Sequence, residues 1–243
     1  MNRWDRESEL NPKAYMYGAA AVLPLLYYPY KIDRLNSAFN RDTSQASRSL
    51  ENIGFAGRVA DKARSMGLKV KAAPEAAASF YNHGSKLLSV YPEAAVAAHE
   101  LGHAMNLVPG YGDRLGRLTH RIAEGSSLMS TTAGRALMLA GTPALGAFAG
   151  IASGTPAGAV LAGAAAAPFI SSIPVIAREL SANRTGLNFL RKSGAPERFL
   201  AAAKRRLGTG WRTYALTPAV GAVSTLLAYR MGKHIKGGDD GNG

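Results

Sequence analysis

The chain has 243 residues, 47% of them hydrophobic and 19% charged, with no cysteine. Such a composition excludes a disordered tail, a disulfide scaffold, a thiolate metal site and a cysteine nucleophile, so any metal must be held by histidine and carboxylate. Twenty-nine Lys and Arg against 16 Asp and Glu give a net charge of +13, which points to an anionic neighbour such as phospholipid headgroups or nucleic acid. The basic residues are spread out and no nucleic-acid-binding module appears, so lipid is the expected partner and nucleic acid is not.

The mean hydropathy of −0.05 hides a segregation of charge. Ala14–Tyr30, Ala136–Ala177 and Thr213–Tyr229 carry none, over 17, 42 and 17 residues. A bilayer core takes roughly 20 apolar residues as helix. The first stretch is expected to be a membrane anchor within residues 1–30, with Tyr15 and Tyr17 at one end and Tyr27, Tyr28 and Tyr30 at the other, placed as interfacial aromatic belts are. Asp5, Glu7 and Glu9 precede it and Lys31-Ile32-Asp33-Arg34 follow it. Those flanks fit an uncleaved anchor better than a signal peptide.

Residues 31–135 form the next expected region. Ala76–Tyr81 and Lys86–Val90 flank the turn Asn82-His83-Gly84-Ser85 and predict a β-hairpin, which could pair with an extended peptide. His99-Glu100-Leu101-Gly102-His103 follows, in good helix formers between Pro92 and Pro109-Gly110. Residues four apart share a helix face, so His99 and His103 can present two imidazole nitrogens to one Zn²⁺. Glu100 is rotated away from ligation and suits a general base.

The stretch 136–177 has a turn signal, Gly154-Thr155-Pro156, near its centre and predicts an apolar helical hairpin. Gly146, Gly150, Gly154 and Gly158 recur every four residues, the small-residue spacing that lets membrane helices approach. A hairpin returns the chain to the face it left, so Glu179, at the start of region 178–212, can join His99 and His103 as third ligand. His83, His120 and His234 are weaker candidates for that place. The two regions flanking the hairpin hold 23 of the 29 Lys and Arg, which puts them on the cytosolic face. Lys204-Arg205-Arg206 would then lie near anionic lipid. Residues 213–243 are expected to be a last apolar helix and a disordered tail, making about four apolar helices in a mainly α, multi-pass membrane protein.

In this order of elements the chain resembles the membrane-embedded neutral zinc metallopeptidases related to HtpX and the CAAX prenyl proteases, most closely the compact YugP-like branch. The resemblance rests on the anchor, an amphipathic stretch from Ala56 to Leu68, Leu87-Leu88-Ser89-Val90, the His-Glu-Leu-Gly-His run, the apolar hairpin, the Pro174-Val175…Glu179-x-x-Ala182 segment and the last apolar helix. It implies an α+β zincin-like catalytic domain with one zinc ion on His99, His103 and Glu179, and Glu100 as catalytic base. It also implies cleavage of peptide bonds in membrane-associated or misfolded polypeptides. Members commonly have Asp where this chain has Asn183; at that position Asn can still accept a hydrogen bond from a histidine ligand, without the charge. Oxyanion stabilisation needs a further donor, for which His83, Tyr81 and Arg184 are the candidates. The competing readings are a catalytically weak or inactive member of the same fold acting as an adaptor, and a soluble basic assembly protein.

Overall fold

The computed structural model describes residues 11–107, Leu118 and residues 132–236. The end of the His-Glu helix at Pro109-Gly110, His120, residues 1–10 and the tail 237–243 lie outside them. The protein is mainly helical. Helix α1 is Pro12–Ala46 and α2 is Leu50–Ser65, followed by strand β1 at Lys69–Ala72. A single 3-10 turn at Ala76–Ala78 leads to β2 at Phe80–Asn82, β3 at Leu87–Val90 and helix α3 at Ala94–Leu107. Helix α4, Thr132–Ala136, passes through a π-helical turn at Leu137–Gly141 into α5, Thr142–Ile151. Two long helices complete the chain, α6 at Pro156–Lys192 and α7 at Glu197–Lys236.

The chain divides into two compact units, one of Met1–Ile32, Ser127–Ile173 and Ala215–Gly243, the other of Asp33–Ser126 and Pro174–Tyr214. Helices α1, α6 and α7 each supply residues to both. The expected boundaries at 30/31, 177/178 and 212/213 therefore mark changes in composition that fall inside continuous helices. Charge changes what a helix face meets, but Lys, Arg and Glu are good helix formers and do not end a helix.

In the first unit α5 packs against α7 through glycine. A Cβ on Gly146 would fall 2.7 Å from the Thr225 carbonyl oxygen, one on Gly150 2.1 Å from that of Tyr229, and one on Gly232 2.1 Å from that of Ala147. Thr225 donates to Thr142 Oγ1 at 2.9 Å across the same contact, and Tyr28 and Thr217 share a hydrogen bond of 2.9 Å. Only Gly146 and Gly150 of the four-residue series serve a helix contact. Gly154 takes φ +83° in the turn, and Gly158 lies against the Ala152 carbonyl of that same turn. The hairpin turn thus falls where Gly154-Thr155-Pro156 signals it.

Among the described residues one helix is long and apolar enough to cross a membrane, α6, with a mean hydropathy of 1.9 over its best 18-residue window. The expected four apolar helices are not all of that kind. The charge-free stretch of α1 carries five tyrosines and Pro24 and Pro29, that of α7 carries Thr213, Thr217, Ser224 and Thr225, and α5 is only 10 residues long. Absence of charge is a weaker condition than apolarity.

The second unit holds a core built by α2, β3, α3, the end of α6 and the start of α7. Phe55, Val59, Leu88, Leu101, Leu190, Phe199 and Leu200 are its larger members. Helix α2 buries Asn52, Phe55, Ala56, Val59 and Ala63, a stripe at helical spacing. It ends with Gly67 at φ +77°, where Leu68 N–H reaches the Ala63 carbonyl and Gly67 N–H that of Arg64, a Schellman close that needs the left-handed glycine. The sheet order is β1-β3-β2, with β1 parallel and β2 antiparallel to β3. The expected hairpin is present as β2 and β3, although Ala76–Ala78 is a 3-10 turn and not strand. Strand β1 is an addition to it. It makes β3 the central strand, with both edges already paired.

Candidate metal centre

Helix α3 is fixed at its start before it presents any chemistry. Glu93, fully buried, caps it by accepting from Val96 N–H at 2.8 Å through Oε2, and Asn52 Oδ1 accepts from Ala94 N–H at 2.7 Å. The other Glu93 oxygen lies 3.0 Å from Arg206 Nη2, on α7. Arg206 therefore serves this buried pair, and only Lys204 and Arg205 of the basic triplet are exposed.

Helix α3 then lies against α6 with almost no space between backbones. A Cβ on Gly102 would sit 2.2 Å from the Ala182 carbonyl oxygen, and one on Gly186 2.2 Å from that of Ala98. Each helix thus gives a glycine to the other. Asn106, fully buried, ties the same pair by donating to Ser181 Oγ at 3.1 Å and accepting from Thr185 Oγ1 at 2.9 Å.

That crossing brings three ligand-type side chains together. His99 Nε2 and His103 Nε2 are 3.1 Å apart, and Glu179 Oε2 is 3.2 Å from the first and 3.4 Å from the second. A tetrahedral ion with bonds of roughly 2.0–2.1 Å keeps its ligand atoms about 3.3 Å apart, so the three atoms already have the required spacing. His99, His103 and Glu179 form the group that could hold a metal ion among the described residues. Two imidazoles and a carboxylate suit Zn²⁺, and Fe²⁺ also uses such a set.

The surroundings orient these groups. His99 Nδ1 lies 2.8 Å from Asn183 Oδ1. A carbonyl oxygen only accepts, so Nδ1 carries a hydrogen, and it is the Nε2 proton facing Glu179 that must leave to free a lone pair for a metal. Arg178 donates to Glu179 Oε1 through Nε at 3.2 Å and Nη2 at 3.0 Å. Burial opposes a charged His99. The Glu179 hydrogen bond and the Glu100 and Glu179 carboxylates outweigh it, and push the imidazole from the usual 6.5 up to about 9. Glu100 Oε1 is 4.0 Å from His99 Nε2, one position along the helix and outside the ligand triangle. No family model, no curated protein and no solved structure matches the chain.

The other candidates are not drawn to the triad. Tyr81 and His83 bond to each other, Oη to Nδ1 at 3.2 Å, and burial pushes the Tyr81 phenol up. Arg184 follows Asn183 on α6 but is exposed. His234 stacks on Tyr17 in the first unit. Strand β3, with partners on both sides, has no free edge for a peptide, so only β1 and β2 keep one. Sequence reasoning missed Arg178, although it adjoins Glu179, and the Glu93–Arg206 pair, whose members are 113 positions apart.

Proposed function

We propose that this chain is a membrane-anchored, zinc-dependent endopeptidase whose metal centre is His99, His103 and Glu179 and whose general base is Glu100. The convergence of two Nε2 atoms and one carboxylate oxygen within 3.1–3.4 Å carries the reading. The choice of zinc peptidase over an iron centre is supported by Glu100, a carboxylate beside the triad and not in it. When bound, zinc supplies Lewis acidity, polarising a carbonyl and lowering the pKa of water toward about 7. Asn183 keeps the His99 lone pair directed inward. Glu100 accepts the proton of the attacking water at its carboxylate and delivers it to the departing amine.

Attachment to a bilayer is supported by α6, of whose apolar window only 22% is buried. It is supported as well by large apolar side chains left open in the first unit, among them Leu23, Leu26, Val160 and Ile170. The expected crossings are the charge-free stretches Ala14–Tyr30 on α1, the hairpin Ala136–Ala177 through α5 and the first part of α6, and Thr213–Tyr229 on α7. The excess of Lys and Arg in 31–135 and 178–212 supports a cytosolic position for the metal centre. Glu179 comes two residues after Ala177, the end of the charge-free stretch, and so suits substrates that are membrane proteins or segments next to the membrane. Metal analysis of the purified chain with Glu100→Gln tests the proposal. One zinc per chain should persist while cleavage of an unfolded polypeptide is lost; unchanged cleavage, or iron in place of zinc, would overturn it.

A further inference from the structure

We infer that Arg178 is a positioning residue that restricts Glu179 to one metal-binding oxygen. The inference rests on the metal centre proposed above and concerns how that centre is kept open. The carboxylate of Glu179 is almost wholly buried, with 3% of the residue exposed. Its two oxygens have different surroundings. Oε2 faces both imidazoles at 3.2 and 3.4 Å, whereas Oε1 takes two hydrogen bonds from one guanidinium, through Nε and Nη2.

A carboxylate can bind a metal through one oxygen or two. Two charge-assisted bonds occupy the lone pairs of Oε1 and draw its electron density toward the arginine. Oε1 is then a poor ligand, and rotation of the carboxylate to offer both oxygens would break both bonds inside a buried site. With Oε1 so held, the chain would offer a metal three protein ligands and leave a further position to water or substrate, as catalytic sites do. Arg178 keeps 22% of its side chain exposed. The forked geometry is specific to arginine, since a lysine ammonium is a point donor without a fixed plane.

The test replaces zinc by Co²⁺, whose visible d–d bands report coordination number. Wild-type protein loaded with one Co²⁺ per chain should show the intense bands of a four-coordinate ion. Arg178→Met should lose most of that intensity as Glu179 binds through both oxygens, and its metal affinity should change by about 10-fold or more. Arg178→Lys keeps the charge and should restore the intensity only in part. Far-UV circular dichroism identifies any variant that has not folded, and Arg178→Lys then carries the comparison. Wild-type bands in either folded variant would overturn the role of Arg178 and leave the metal centre standing. Failure of the wild-type chain to take up Co²⁺ or Zn²⁺ would overturn the centre and this inference with it.

Discussion

Gly102 sits between the two histidine ligands, and replacing it with alanine tests whether the closeness of α3 and α6 makes the site. The added Cβ would lie 2.2 Å from the Ala182 carbonyl oxygen, 2.9 Å from its carbon and 3.1 Å from its Cα. Backbone atoms cannot move aside as a flexible side chain can. A carbon–oxygen contact settles at about 3.3 Å, so the helices must separate locally by about 1 Å. The ligand triangle has edges of 3.1, 3.2 and 3.4 Å, and two of these edges join α3 to α6. The same displacement would therefore stretch both edges to Glu179 past the tetrahedral value of about 3.3 Å. Overpacking of this kind costs about 1–3 kcal/mol, and a shift near 1 Å at the reacting groups lowers turnover by about 10²-fold. Zinc retention against a competing chelator and cleavage rate should both fall, with helix content preserved. Gly208→Ala supplies the comparison, since nothing lies within 4 Å of its Cβ; it should stabilise the chain by up to about 1 kcal/mol and leave zinc binding alone. If Gly102→Ala holds zinc as tightly as wild type does, the crossing does not set the site.

Asn183→Ala should weaken zinc binding by about 10–100-fold through loss of the His99 Nδ1 bond, and Asn183→Asp should strengthen it by adding charge to that bond; chelator competition reads both, and equal affinities would remove Asn183 from this role. Arg206→Met leaves Glu93 buried without a counter-charge and should cost about 3–5 kcal/mol in chemical denaturation, with loss of less than about 1 kcal/mol showing the pair to be replaceable. Metal uptake should release a proton, because His99 is protonated up to about pH 9 in the metal-free protein and must be neutral to ligate. Apparent affinity should thus rise about tenfold per pH unit between pH 7 and pH 9 and flatten above it, as titration calorimetry in buffers of different ionisation enthalpy would show.

The parts of the site that were legible in the sequence are those carried by one helical repeat. His99 and His103 lie four apart on α3, and no tertiary information is needed to put them on one face. Glu179 was legible for a different reason, the return of the chain after the turn at Gly154. Asn183 was legible only through the resemblance that drew attention to it. Arg178, Arg206 and strand β1 have no such local signature. Arg178 in a sequence is one more arginine next to a carboxylate, and only the orientation of Oε2 toward the imidazoles leaves Oε1 for it. Pairing of Lys69–Ala72 with Leu87–Val90 spans a separation of 18 residues, and a four-residue strand with two lysines carries little pattern of its own. The region boundaries at 30/31, 177/178 and 212/213 follow charge, and charge does not end a helix. Lys31 and Arg178 show that the same helix can run from an uncharged stretch into a charged one.

The three-stranded sheet has two outer strands, and each is poorly suited to self-association. Strand β2 is three residues long, too brief to template a ladder, and β1, the other edge strand, exposes Lys69 and Lys71. Two copies of the chain brought edge to edge there would set ammonium groups against one another, the device by which natural sheets resist aggregation.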